Sequence, residues 1–521
     1  MPRLVVLMVL SICLLVAGCG GASSSGGDDP ASAVPANAAL YFEATLRPDG
    51  ELRDEALDAA GKVLRTGDPQ ARIDELVQQA FAETGEDGQE LDYERDVKPW
   101  LGEKAGLWAA ATANHEEAKV VAVFSATDTD KAQETFDRLS EGSDKKFTDR
   151  SYKDVDYQVD EEGEAAGIVG DLAVFGTEAE FKRTIDAAGG ESLAEDERYT
   201  DSIDELEDDR LAHFYFDTKA LVDQALSGDP ASRRQAQQFL QNFDFDRLGP
   251  VTGAFMADGD RLAIDGFTSG SGSDYFKKFG ALTGTGSTPL LAELPGDSWA
   301  ALGAPKLGET ARTLYQQVAG ALGGAAIAQQ LRSELGLDLE QDVFSWIGDV
   351  AFFVRGTAPE AIDGGAVIEV LDGAKAKAAF GKLVGVLQSR GGVSAKPLRV
   401  AGADTAFELS TPGQPQKVVA ALGGDRVVIG SGEKAAADAF APSETLGDSP
   451  TYAEAKSLLG DDLEPGLLLS MPAVVTLAQS MSGSDPDFAK AKPYLDAFSA
   501  IALGGKLEDD RAESRLAAGL K

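Results

Sequence analysis

The chain has 521 residues, with 47 Lys and Arg against 87 Asp and Glu, a formal charge of −40. A surface so acidic repels phosphate backbones and anionic lipid head groups, which excludes nucleic-acid binding and a basic membrane-contact face. The acidic residues are spread through apolar-patterned sequence rather than gathered in a tail, so they belong to the solvated surface of a folded body. That body is long enough for roughly two to four domains, each with its own core.

Met1-Pro2-Arg3 supplies a short positive start, and Leu4 to Val16 is apolar except for Ser11. An apolar run of about 13 residues is too short to cross a bilayer and reads as a secretory signal over 1–18. The segment ends Val16-Ala17-Gly18-Cys19, small residues followed at once by cysteine. This resembles the lipobox of bacterial lipoproteins. The resemblance implies cleavage between Gly18 and Cys19, diacylation of the Cys19 thiol and a lipid anchor on the extracytoplasmic face of the cell membrane. Two or three acyl chains, at roughly 0.8 kcal/mol per buried methylene, hold stably where one does not. Residues 19–32, with Gly20-Gly-Ala-Ser-Ser-Ser-Gly-Gly-Asp-Asp29, read as a flexible tether. The only other cysteine is Cys13, inside the signal, so no mature disulfide is expected.

Beyond the tether, Ala38 to Thr45 reads as a strand. Leu57, Ala60 and Leu64, then Ile73, Leu76, Val77, Ala80 and Phe81, follow helical spacing. Strands are predicted over Ala105–Ala111 and Val120–Ser125, and a helix capped by Asp128 buries Ala132, Phe136 and Leu139. Tyr157–Val159 and Gly167–Val169 read as strands, Asp171 as a tight turn before strand Leu172–Phe175, and Phe181 with Ile185 as a helix. Strand His213–Asp217, a helix from Lys219 and a hairpin about Asp258-Gly-Asp260 complete the pattern.

The chain then repeats itself. Leu91-Asp-Tyr-Glu-Arg-Asp-Val97 leads to Trp100-Leu-Gly102, and Leu337-Asp-Leu-Glu-Gln-Asp-Val343 leads to Trp346-Ile-Gly348. Pro35, Asp128, Gly170-Asp171, Tyr199 and Asp260-Arg261 find counterparts in Pro295, Asp372, Gly424-Asp425, Tyr452 and Asp510-Arg511, in the same order and always about 250 residues on. The expected architecture is α+β: two tandem homologous units, 33–272 and 288–521, joined by a Gly/Ser-rich junction, 273–287. Each is largely antiparallel sheet with helices packed on one face.

Chemistry-bearing motifs are scarce. His115 lies in a polar turn and His213 in an apolar strand, too few histidines for His/Cys zinc clusters or Cys–His nucleophilic sites. No Gly-x-Ser-x-Gly elbow accompanies them, and no phosphate loop is present; Gly284-Thr-Gly286 lacks the third glycine of a dinucleotide turn. Asp128-Thr-Asp130, Asp244-Phe-Asp246 and Asp258-Gly-Asp260 space carboxylates as calcium loops do, without the glycine and glutamate that complete an EF-hand. Asp128 reads as a helix cap and Asp258-Gly as hairpin chemistry. The repeated Asp92/Asp338 and Asp96/Asp342 could form an acid–base pair. Their fixed spacing to Trp100/Trp346 and Gly102/Gly348 favours structure: an acidic cap, a docked tryptophan and a glycine that permits a bend. No catalytic residue, metal or cofactor is assigned.

The Pro35-Ala-Asn-Ala-Ala-Leu-Tyr-Phe opening, the Asp-Val-x-x-Trp-Leu-Gly segment and the Gly-Asp-x-x-Val-x-Gly turn, behind a lipobox, resemble an uncharacterised family of bacterial envelope lipoproteins. That family is described as a domain of unknown function, chiefly in high-GC Gram-positive lineages. The resemblance implies an envelope location and no activity. The expected function is a non-enzymatic envelope lipoprotein that binds a ligand or partner. The alternatives are a carrier of a lipid or other hydrophobic ligand, with a large apolar pocket, and a carboxylate-dependent hydrolase, with two acids facing a cleft about 5–10 Å apart.

Overall fold

The computed structural model describes residues 29–83, 92–110, 119–143, 145–227, 233–234, 248–270, 286–321, 324–390, 392–411, 413, 417–483, 485–508 and 510–521. The signal, Cys19, His115, Asp244-Phe-Asp246 and most of the 273–287 junction lie outside these residues. The fold is α+β with extensive antiparallel sheet, and the chain divides into two compact units, Met1–Gly270 and Ser271–Gly519.

The first unit contains β1 (Leu40–Thr45), β2 (Leu101–Ala110), β3 (Lys119–Ala126), β4 (Thr148–Tyr152), β5 (Val155–Val159), β6 (Glu164–Val169), β7 (Leu172–Thr177), β8 (Ala212–Phe216), β9 (Leu248–Ala257) and β10 (Arg261–Gly270). Its helices are α1 (Gly50–Leu64), α2 (Pro69–Glu83), α3 (Thr129–Glu141), α4 (Glu178–Ala188), α5 (Glu197–Ile203) and α6 (Thr218–Ser227). The strands pair antiparallel in the order β10-β9-β8-β1-β2-β3-β7-β6-β5-β4. Local chemistry sets the boundaries. Asp128 caps α3 by accepting from the Lys131 N–H at 3.1 Å. Gly170, with φ at 62°, makes the turn between β6 and β7.

The second unit contains β11 (Ala300–Ala304), β12 (Ile347–Arg355), β13 (Asp363–Val370), β14 (Ser394–Leu398), β15 (Thr405–Ser410), β16 (Lys417–Gly423), β17 (Arg426–Gly430), β18 (Pro465–Ser470), β19 (Phe498–Leu507) and β20 (Arg511–Leu520). Its order is β20-β19-β18-β11-β12-β13-β17-β16-β15-β14, the same path as in the first unit. Helices α7 (Pro289–Ala292), α8 (Leu307–Ala321), α9 (Gly324–Leu335), α10 (Gly373–Arg390), α11 (Glu433–Phe440), α12 (Pro450–Leu459), α13 (Met471–Ser482) and α14 (Pro486–Leu495) accompany it.

Helices cover both faces of each sheet, not one. In the first unit Val174 packs in the core that contains Phe181 and Ile185 of α4, while the next residue, Phe175, meets Phe136 of α3 edge to face, ring centroids 4.9 Å apart. In the second, Val428 lies in the core with Ala436 of α11, and Val427 in a separate cluster with Phe380 of α10. The physical reason is in the strands. β3 (KVVAVFSA) and β7 (LAVFGT) are apolar at consecutive positions, and successive side chains of a strand point to opposite faces.

The residues just before 33 are part of the folded body. Residues Pro30–Ala33 form a 3-10 turn capped by Asp29, and Ala31, Ala33 and Val34 have no exposed surface. Three small apolar side chains of this segment thus find places in the core of the first unit.

Candidate functional site

The repeated acidic skeleton is structural. Asp92 Oδ1 accepts from the Arg95 N–H at 2.8 Å, and Asp96 Oδ2 accepts from the Asp92 N–H at 2.9 Å, a reciprocal cap on the π turn Tyr93–Val97. Trp100 Nε1 donates to the Asp96 carbonyl at 2.7 Å. The second unit repeats this: Asp338 N–H to Asp342 Oδ2 at 2.7 Å, and Trp346 Nε1 to the Asp342 carbonyl at 2.9 Å. Burial works against the Asp96 charge, but the Arg95 guanidinium, the Asp92 N–H and Arg138 hold its carboxyl below the usual range. Its acceptors are filled, leaving no free carboxylate for acid–base work.

The glycine of this skeleton also serves close approach. Gly102 lies within β2, and a Cβ there would sit 2.3 Å from Ser125 Oγ and 2.8 Å from the Ser125 carbonyl oxygen. The β2–β3 ladder shifts register between Leu101 and Ala105, and the β12–β13 ladder between Ile347 and Val350, so both glycines fall in an irregular stretch.

The carboxylates of the Asp258-Gly-Asp260 hairpin are also occupied. Asp260 pairs with Lys62 at 2.5 Å and Asp258 with Arg261 at 2.7 Å, with Gly259 at φ 58° making the hairpin turn. Among the described residues no group of three His, Cys, Asp or Glu is placed to hold a metal ion. His213 is buried, and its Nε2 lies 2.9 Å from the Tyr199 hydroxyl, with the Tyr41 ring beside it. Burial, aided by Arg210 and Lys104, pushes its pKa down to about 3, so the ring is neutral. Next to it Glu43 takes the Tyr41 hydroxyl at 2.7 Å and the Lys104 ammonium at 2.9 Å. Burial and then the Glu43 charge raise the Asp29 carboxyl above its ordinary value. This polar node helps pin the start of the first unit to β1 and β2.

The feature that motif reading missed lies on the opposite face of β1. Register places Phe42 between Leu107 and Phe214, and Leu40 between Ala109 and Phe216. Val120 pairs with Ala109, and Val251 with Phe216, extending the strip across five neighbouring strands. Together these side chains line a concavity of about 480 Å³, within the range of roughly 300–1,000 Å³ typical of small-molecule sites. Tyr41, Trp108 and Tyr215 form its floor. Their alternation in the strands turns them to the other face, where the two hydroxyls bond Glu43 and Asp217. Phe214 lies flat because it rests on Gly253, where a Cβ would come 2.3 Å from the ring. Leu40 and Val120 remain 37% exposed, although their strands sit mid-sheet. The second unit carries a comparable face, with Leu302, Phe352 and Ile429 each more than 40% exposed.

Fold and site together define an antiparallel α+β protein with an apolar groove on a sheet face. The chain belongs to the family described as "Protein of unknown function (DUF3352)", whose model matches residues 3–516. No curated protein matches its sequence. Crystal forms I, III and IV of TP0453 are similar in structure at 9%, 10% and 11% identity, with TM-scores of 0.24, 0.25 and 0.24. The matches cover 46%, 48% and 46% of this chain and 78%, 84% and 80% of TP0453. Among the described residues no helix is long and apolar enough to cross a membrane.

Proposed function

We propose that this chain is a lipid-anchored envelope lipoprotein that binds an apolar ligand in the groove of its first unit and performs no catalysis. The observation that carries the reading is the groove. An apolar strip of this extent in the middle of a sheet loses roughly 25 cal/mol for every Å² left in water, so a ligand that covers it gains that amount. Acyl groups on Cys19, after cleavage at Gly18, hold the body at the membrane. The two units descend from one by tandem duplication, a reading supported by their shared strand order and by the Asp–Asp–Trp cap present in each.

The neutral fluorophore N-phenyl-1-naphthylamine tests the groove. The full chain should bind it with enhanced emission. Ala109→Trp, which fills the strip between Leu40 and Val120, and Phe214→Glu, which puts a charge into it, should each weaken binding at least about tenfold. A wild-type chain that gives no emission gain, or an Ala109→Trp chain that binds as well as wild type, would overturn the reading.

A further inference from the structure

We infer that the groove takes a single extended aliphatic chain, lying across the strands, whose head group carries no charge. The inference rests on the apolar-ligand reading of the same groove and adds the chemical class of the ligand. Shape is the first argument. The strip runs over five adjacent strands, from Val120 on β3 to Val251 on β9, yet each strand contributes only one or two side chains. At about 4.8 Å between strands it is about 19 Å long, whereas a pair of residues two apart spans only about 7 Å along a strand. A strip longer across the strands than along them suits an extended chain. Its volume of about 480 Å³ accommodates about sixteen non-hydrogen atoms at roughly 30 Å³ each.

Polarity is the second argument. No lining residue carries a charge. The hydroxyls of Tyr41 and Tyr215 are engaged by Glu43 and Asp217 on the far face, so they offer nothing to a head group. A carboxylate or ammonium drawn into such a surface is desolvated without a partner. The net charge of −40 adds long-range repulsion against an anionic ligand.

The test uses the full chain bearing Cys19→Ser, so that its own acyl groups cannot compete, with N-phenyl-1-naphthylamine bound. Hexadecanol, hexadecanoate and hexadecyltrimethylammonium are compared as displacers, each below its micelle-forming concentration. Hexadecanol should displace the probe at a concentration at least about tenfold below either charged chain. Equal displacement by hexadecanoate would overturn the uncharged head group. Displacement by none of the three, with the probe still bound and still lost in Ala109→Trp, would overturn the aliphatic chain while leaving the apolar site intact. Failure of the probe to bind at all would instead strike the proposed function itself.

Discussion

At the scale of single residues, His213 gives the sharpest expectation. It is a neutral imidazole sealed in the first unit, facing Tyr199, Tyr41 and, at longer range, Arg210, Lys104 and Asp29. Its folded pKa is about 3, whereas a free imidazole titrates at 6.5. Below pH 6.5 the unfolded chain therefore binds a proton that the folded chain refuses, and stability falls as the solution is acidified towards pH 3. The slope is roughly 1.4 kcal/mol per pH unit for the one site. His213→Gln keeps a hydrogen-bond partner for Tyr199 and removes the titration. Urea melts of the two chains should show the wild type losing ground to the variant as pH drops from 7 to 4. Parallel pH profiles would mean that the imidazole is protonated or solvated in the folded state.

At the scale of elements, the acidic cap, tryptophan and glycine act together, and they show what sequence can and cannot convey. Asp128 as a cap, the turn at Asp171 and the hairpin at Asp258-Gly-Asp260 are legible because their chemistry is local: a side chain bonded to an N–H three residues on in the first, a glycine at positive φ in the other two. The close approach at Gly102 is not legible because its neighbour, Ser125, lies on another strand, and only the β2–β3 register brings them together. The groove was invisible for the same reason. Leu40, Phe42, Leu107 and Phe214 look like ordinary strand residues until pairing places them on one face. Likewise, the apolar runs of β3 and β7 signal strands plainly, but not that a different helix covers each face. Gly102→Ala should accordingly destabilise the first unit by about 1–3 kcal/mol, since the intruding Cβ meets backbone as well as hydroxyl. A urea midpoint unchanged from wild type would show that the β2 irregularity yields to accommodate it.

At the scale of the whole molecule, three forces compete to hold the protein at a membrane, and the charge opposes the electrostatic one. With 87 acidic against 47 basic side chains, the body is repelled by an anionic bilayer surface. Any association through charge would have to act against that repulsion, and any association through exposed apolar side chains would compete with ligand in the groove. The acyl groups proposed on Cys19 suffer neither limit, because their hold depends on buried methylenes and is insensitive to salt. Between Cys19 and Asp29 the chain can reach at most about 35 Å, so the first unit would be kept close to the lipid. Two fractionations separate these forces. Wild-type protein should stay with the membrane through a wash in 1 M salt, where the screening length falls to about 3 Å, and should leave it in detergent. Cys19→Ser should be released from the membrane at every salt concentration. A Cys19→Ser chain that sediments with membranes as wild type does would overturn the anchor and shift the attachment to the apolar faces of the units. Such a chain would then be dislodged by Phe214→Glu, an effect the acyl anchor does not predict.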